Sequence, residues 1–205
     1  MLYRLIAKAL DFIIVKKLKK LEVIGLENKP DSNRYVVTCN HESYNEIILL
    51  GLALLPNEIH YMAKQELFKN KWMHQFFTAL NAFPVNRENP GPSTLKVPVK
   101  ILNQNKTVGI FPSGQRTSVE VPLKKGAATI AMLGKAPILP AAYVGPTKIP
   151  HLFTKKAYIK FGEPIDTTAI SKDLKRQEKV EYITQMLTER TRQLQKELNA
   201  YVEGH

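Results

Sequence analysis

Tyr35-Val36-Val37-Thr38-Cys39-Asn40-His41-Glu42-Ser43-Tyr44-Asn45-Glu46-Ile47-Ile48-Leu49-Leu50 decides the architecture of this chain. Its first part, Tyr35 to Cys39, is apolar and rich in β-formers, the signature of a buried strand. A polar turn follows, and from Tyr44 to Leu55 the pattern is helical. A strand that passes through a polar exit into a helix is the repeating unit of an α/β sheet, and such sheets build their sites at strand exits.

The same alternation extends in both directions. Ile59 to Ala63, Ala82 to Val85, Val108 to Phe111, Ile138 to Val144 and Ala157 to Phe161 read as further strands. Helices are expected at Trp72 to Leu80, Lys124 to Leu133 and Asp173 to Tyr201, while Ser93 to Asn103 has helical spacing interrupted by Pro98. These elements make an α/β sheet with helices on both faces. Asn89-Pro90-Gly91-Pro92 is a loop too short to separate domains, and no internal repeat or low-complexity segment occurs. The long last helix carries charges of both signs and reads as a solvated packing helix.

Composition narrows the class. With 205 residues, 44% hydrophobic and 23% charged, the chain fits one globular domain with a sizeable core. Its one cysteine, Cys39, excludes an intramolecular disulfide and a Cys-rich zinc module. Thirty basic against 18 acidic residues, net +12, favour anionic partners: phosphates, membrane surfaces or nucleic acid. No clustered aromatics accompany the basic residues, so nucleic acid rests on bulk charge alone.

No segment reaches the ~18 consecutive apolar residues of a membrane span. Met1 to Val15 reads as an amphipathic helix with Leu2, Leu5, Ile6, Leu10, Ile13 and Ile14 at helical spacing, followed at once by Lys16, Lys17, Lys19 and Lys20. Apolar residues beside a basic cluster suit the interface of an anionic bilayer. Packing on its own domain with a solvated lysine tail is the equal alternative.

Common catalytic signatures are absent. His41-Glu42-Ser43-Tyr44-Asn45 has Asn where a zinc-protease helix needs its second histidine, no Gly-x-Ser-x-Gly elbow occurs, and Gly134-Lys135-Ala136 is not a phosphate-binding loop. Polar residues at strand exits remain. His41 stands where a histidine can act as general base, and Glu46 could accept its Nδ1 proton. Ser43-x-x-Glu46 equally fits a helix capping box without catalysis. Phe83-Pro84-Val85-Asn86-Arg87 and Phe111-Pro112-Ser113-Gly114-Gln115-Arg116 each carry a strand into a loop ending in a guanidinium suited to phosphate. Gly114 permits close backbone approach; Lys64, after the Ile59 to Ala63 strand, and Lys124-Lys125 before Gly126 add cationic candidates, and the helix entered at Gly126 can lend backbone amides to an anion.

Together these segments resemble the four ordered motifs of the glycerolipid acyltransferases, specifically the 1-acylglycerol-3-phosphate acyltransferases: Asn40-His41 through Glu46, Phe83 to Arg87, Phe111 to Arg116, and Ile138-Leu139-Pro140-Ala141-Ala142. Met62 to Phe68 and Lys124 to Ala128 resemble the intervening segments, and the likeness spans Leu21 to Pro164. It implies a single-domain α/β fold, a mixed β-sheet flanked by helices with an N-terminal amphipathic helix at residues 1–20 and an acyltransferase domain at 21–205. It also implies transfer of a fatty acyl group from a thioester of acyl carrier protein or coenzyme A to the hydroxyl of lysophosphatidic acid.

Carried over by motif, His41 is the general base and Glu46 its orienting partner. Arg87 and Arg116 hold the glycerol phosphate with Lys64 a further candidate, Ser113 and Gly114 belong to the same acceptor site, and Pro140 helps shape the acyl site. No metal or prosthetic group is implied, and the partners are anionic membrane lipids and the thioester, not nucleic acid, at the cytoplasmic, inner face of the cell membrane. Two departures stand out: Glu46 replaces the family's aspartate, and Ser113 and Gln115 replace the Glu and Thr of the third motif. The first favours, as an alternative, a catalytically weak lipid-phosphate binding protein of the same fold. The second widens the acceptor class beyond lysophosphatidic acid to a related lysolipid, with an acyl-lipid lacking the usual head group and a hydroxylated acyl chain as further candidates. Nothing in the sequence specifies the oligomeric state.

Overall fold

The computed structural model describes residues 2–86, 91–113, 123–170 and 173–204. One seven-stranded sheet runs through them: β1 (Leu21–Ile24), β2 (Val36–Thr38), β3 (Ile59–Lys64), β4 (Ala82–Val85), β5 (Thr107–Ile110), β6 (Ile138–Val144) and β7 (Ala157–Phe161). The spatial order is β1-β7-β6-β2-β5-β3-β4, parallel throughout except for the antiparallel β6–β7 pair. The sheet is therefore mixed. Helices are α1 (Leu2–Leu10), α2 (Asn45–Ala53), α3 (Lys71–Ala79), α4 (Ser93–Asn103), α5 (Gly126–Gly134) and α6 (Arg176–Glu203).

The chain moves across the sheet in one direction through α2 and α3 and returns through α4 and α5. Right-handed crossovers consequently place the first pair on one face and the second on the other. Two cores follow from this. Tyr3, Ala7 and Ile14 join Leu49, Leu50 and the sheet residues Val37 and Leu139 on one side; Leu102, Ile130, Ile183 and Leu187 cover Val36, Val108 and Ile138 on the other. Alternate residues of β2 thus point to opposite cores, as the pleat requires. Central strands β2, β5 and β6 are covered on both faces, which explains their nearly continuous apolar sequence.

Three features differ from the sequence-based expectation. Strand β1 is additional: four half-buried residues at an edge, in parallel register Leu21↔Ala157, give too little alternation to be read alone. Helix α4 forms despite Pro98, which is buried on its core-facing side. The N-terminal segment is not one helix to Val15, because α1 ends at Leu10 and wider π-helical turns continue from Asp11 to Lys17. Tyr3, Ala7 and Ile14 pack on the domain, whereas Leu5 at 69% and Phe12 at 61% exposure face outward. One flank of this segment is core and the other is not.

Candidate active site

Strand β2 ends at Thr38, and Asn40 then ties its exit to the neighbouring strand. The Asn40 amide donates to the Tyr143 carbonyl (3.0 Å) and accepts from the Tyr143 N–H (2.7 Å), as a peptide group of an extra strand residue would. The chain is fixed on both sides of His41, because the next turn closes on Glu46. This carboxylate is fully buried. Its Oε1 accepts from the backbone N–H of Ser43 (2.6 Å) and of Glu42, its Oε2 accepts from the Ser43 hydroxyl (2.5 Å), and His41 Nδ1 lies 3.3 Å from Oε1. The two contacts that compete in the sequence, to the Ser43 backbone N–H and to His41, are both made by this one side chain. Being one methylene longer than aspartate does not prevent the contact, since the side chain folds back over the first turn of α2.

Electrostatics follow from that cage. Burial alone would raise the Glu46 carboxyl, but hydrogen bonds from His41, from the Ser43 hydroxyl and from the Ser43 backbone outweigh it and hold it at about 2. A permanent anion therefore faces His41 Nδ1. Burial and that same charge raise the Glu42 carboxyl and push the Cys39 thiol well above its ordinary value. Cys39 stays protonated and is no thiolate nucleophile.

The imidazole is also held from its face. His41 stacks on Phe111 with ring centroids 4.3 Å apart, and Phe111 stacks in turn on Tyr61 at 6.1 Å. The Tyr61 hydroxyl donates to the Ile47 carbonyl of α2 (2.8 Å), which closes the support back onto the helix that carries Glu46. Gly109 makes this possible: a Cβ there would sit 2.6 Å from the Tyr61 ring.

Two cavities flank the stack. The larger, about 780 Å³, is lined by His41, Asn40, Ser113 and Tyr143, and on its far wall by Arg192 and Lys196 of α6. The smaller, about 250 Å³, is mainly apolar, with Met62, Val85, Leu95, Phe111 and Ile130 in its walls and Lys124 at its edge. Pro112 borders both. A buried histidine with a fixed anion behind it, a polar cavity and an apolar slot beside it can take a proton from a hydroxyl while an apolar chain is held nearby. Among the described residues no group of three or more His, Cys, Asp or Glu could hold a metal ion.

The family model for acyltransferases matches residues 20–144. The chain belongs to the acyltransferase family. Over 199 residues it is 44% identical to the 1-acyl-sn-glycerol-3-phosphate acyltransferase of Bacillus subtilis, covering 97% of this chain and 99% of that one. A Streptococcus pneumoniae protein of the same description is 35% identical over 140 residues, 67% of this chain and 52% of its own. The fold matches the crystal structure of the 1-acyl-sn-glycerophosphate (LPA) acyltransferase PlsC from Thermotoga maritima with a TM-score of 0.68, at 23% identity, over 94% of this chain and 80% of that one.

Within this acyltransferase, the sequence-derived residues fall into three groups. His41, Glu46 and Ser113 are brought to one cavity or its supporting cage. Lys64 ends β3 beside Glu66 (3.7 Å) and lines neither cavity; Pro140 is buried in β6 opposite Thr38 and lines neither as well. Arg87, Gly114 and Arg116 lie outside the described residues. Sequence reasoning missed Asn40 as a clamp, although it stands directly before His41. It also missed the stack partners Phe111 and Tyr61 and the cationic wall of α6. That helix reads as packing only, since no local pattern says which of its charges will face a cavity more than 140 residues away in the chain from His41.

Proposed function

We propose that the chain transfers a fatty acyl group from an acyl thioester to the free hydroxyl of a 1-acylglycerol-3-phosphate at a membrane surface, as a step of phospholipid synthesis. The observation that carries this reading is the 3.3 Å contact between His41 and an ionised, fully caged Glu46 beside a polar cavity. Near-complete overlap with the B. subtilis relative supports the same substrate class.

Glu46 holds the proton on Nδ1, leaving Nε2 as the base. Nε2 takes the acceptor's hydroxyl proton as the oxygen bonds to the thioester carbonyl carbon; the carbon–sulfur bond breaks, and the proton passes from the imidazolium to the leaving thiolate. Glu46 stabilises the transient imidazolium. Arg87 and Arg116 bind the acceptor phosphate, with Lys64, Ser113 and Gly114 completing its surroundings and Pro140 shaping the sheet beneath the acyl site. The apolar slot suits a hydrocarbon chain. The donor is a thioester of acyl carrier protein or coenzyme A, and the chemistry uses no metal or prosthetic group.

Among the described residues no helix is long and apolar enough to cross a membrane. Contact with the inner face of the cell membrane falls to residues 1–20, where exposed Leu5 and Phe12 stand near Lys16, Lys17 and Lys19, while residues 21–205 form the catalytic domain. A weak lipid-phosphate binder would be the reading had Glu46 lost its contact with His41. The test is incubation with labelled acyl thioester and lysophosphatidic acid dispersed in detergent. A diacyl product that disappears in His41→Ala is expected, and its absence with wild type overturns the assignment.

A further inference from the structure

Helix α3 is an anomaly in an otherwise well-covered sheet. It has nine residues, Lys-Trp-Met-His-Gln-Phe-Phe-Thr-Ala, and none of them is buried. At about 100° per residue, Trp72, Met73, Phe76, Phe77 and Leu80 fall on a single arc, with Lys71, His74, Gln75 and Thr78 opposite. Only the lower part of that arc is seated: Phe77 packs on Phe68 at 5.6 Å, and Phe77 and Leu80 are half-buried. Trp72 is 83% exposed, Phe76 46% and Met73 39%. An apolar stripe of this kind loses stability in water unless something covers it.

We infer that α3 is a second bilayer-insertion element, separate from the N-terminal segment, and that the covering medium is the interface of an anionic membrane. This rests on the proposed action on a membrane lipid. Three observations select the bilayer. Lys69 and Lys71 stand immediately before the exposed Trp72, both are exposed, and neither makes an ion pair among the described residues. Lysines leading into an arc of aromatic side chains are the composition of an interfacial helix, with rings at headgroup depth and cations on anionic lipid. Position is the second observation. Helix α3 begins just past the carboxyl end of β3, on the same edge of the sheet from which β2 leads to His41 and β5 leads to Phe111 and Ser113. Insertion of Trp72 therefore brings the catalytic edge to the membrane, where an acceptor lipid can enter without leaving it.

Continuity with the other exposed apolar surface is the third. Glu58 bonds both Arg4 of α1 and Asn81 just after α3 (2.7 Å to the Asn81 amide), so α1 meets the C-terminal end of α3, and the crossovers place both on the same face of the sheet. A second copy of the chain fits less well. A nine-residue helix is roughly 13 Å long and 10–12 Å across, far short of the ~800 Å² each partner contributes to a stable interface, and two copies would oppose their lysines.

The experiment is flotation of the full chain with phosphatidylglycerol–phosphatidylcholine vesicles, comparing wild type with Trp72→Ala/Phe76→Ala and with Lys69→Gln/Lys71→Gln, all with the N-terminal segment intact. We expect the aromatic pair to lower vesicle partitioning by roughly tenfold or more and the lysine pair to lower it only with anionic lipid and low salt. Turnover on acceptor embedded in vesicles should fall with partitioning, while turnover on detergent-dispersed acceptor stays at the wild-type level. Equal partitioning of wild type and the aromatic variant overturns the inference, as does a dimer in sedimentation that the aromatic variant dissolves. If wild type makes no product even in detergent yet α3 still governs flotation, the acyl-transfer reading fails and the insertion element stands.

Discussion

Helices α2 and α3 are both nine residues long, and both cross between parallel strands on the same face of the sheet, yet α2 buries seven residues and α3 none. Helix α2 is apolar almost all round because it lies between the sheet and the N-terminal segment. That double cover is what allows a carboxylate to be placed at its first turn, dry and saturated with hydrogen bonds. Helix α3 has apolar residues on one arc and nothing packed over most of it. The pair teaches how cover differs within one fold: the helix that holds Glu46 against His41 is sealed, and the helix with the exposed aromatic arc is left open.

Breaking the sealed side at its centre gives the largest effect. His41→Ala should lower turnover by roughly 10²-fold or more in protein that is still folded by circular dichroism, and wild-type turnover in that variant would falsify its role as base. Glu46→Gln comes next. Loss of the charge that receives several hydrogen bonds should cost about 1.5–3 kcal/mol of stability at neutral pH and roughly tenfold or more in turnover.

The pH dependence sharpens the same point. Glu46 in the folded protein sits at about 2, below its ordinary 4.5, so the folded state favours the ionised form. Its contribution is complete above the ordinary value and is lost as pH falls toward the folded one. Acid unfolding of wild type across that window should be steeper than that of Glu46→Gln, and superposable curves would show that the cage does not stabilise the anion.

Gly109→Ala tests the support more gently. The new methyl must displace Tyr61 and, through Phe111, tilt His41, at a cost of about 1–3 kcal/mol and with turnover reduced more than acceptor affinity. An active, equally stable variant would mean that the stack is not positioning the base. The smallest effect belongs to the open side: Trp72→Ala should change unfolding free energy by no more than ~0.5 kcal/mol, measured by denaturant titration without lipid. A larger loss would make α3 a packing helix like α2.

The sequence by itself determined a good deal. Strand-to-helix alternation, strict enough around Tyr35 to Leu50 to be read directly, gave the α/β sheet, because period-2 and period-3.6 patterns are local properties of the chain. It also put His41 and Glu46 five residues apart across a strand exit, close enough for one turn to join them. Tertiary structure decided the rest. Whether Glu46 reaches the Ser43 N–H or His41 depended on how the turn closes, and it makes both contacts. Asn40 became a clamp only through Tyr143, 103 residues on, and α6 a cavity wall only by lying across β6, where Gln195 meets Tyr143 52 residues away in the chain. The exposure of Trp72 is of the same kind, for a helix's apolar arc is written in its sequence, but whether anything packs over it is settled by where the neighbouring elements fall.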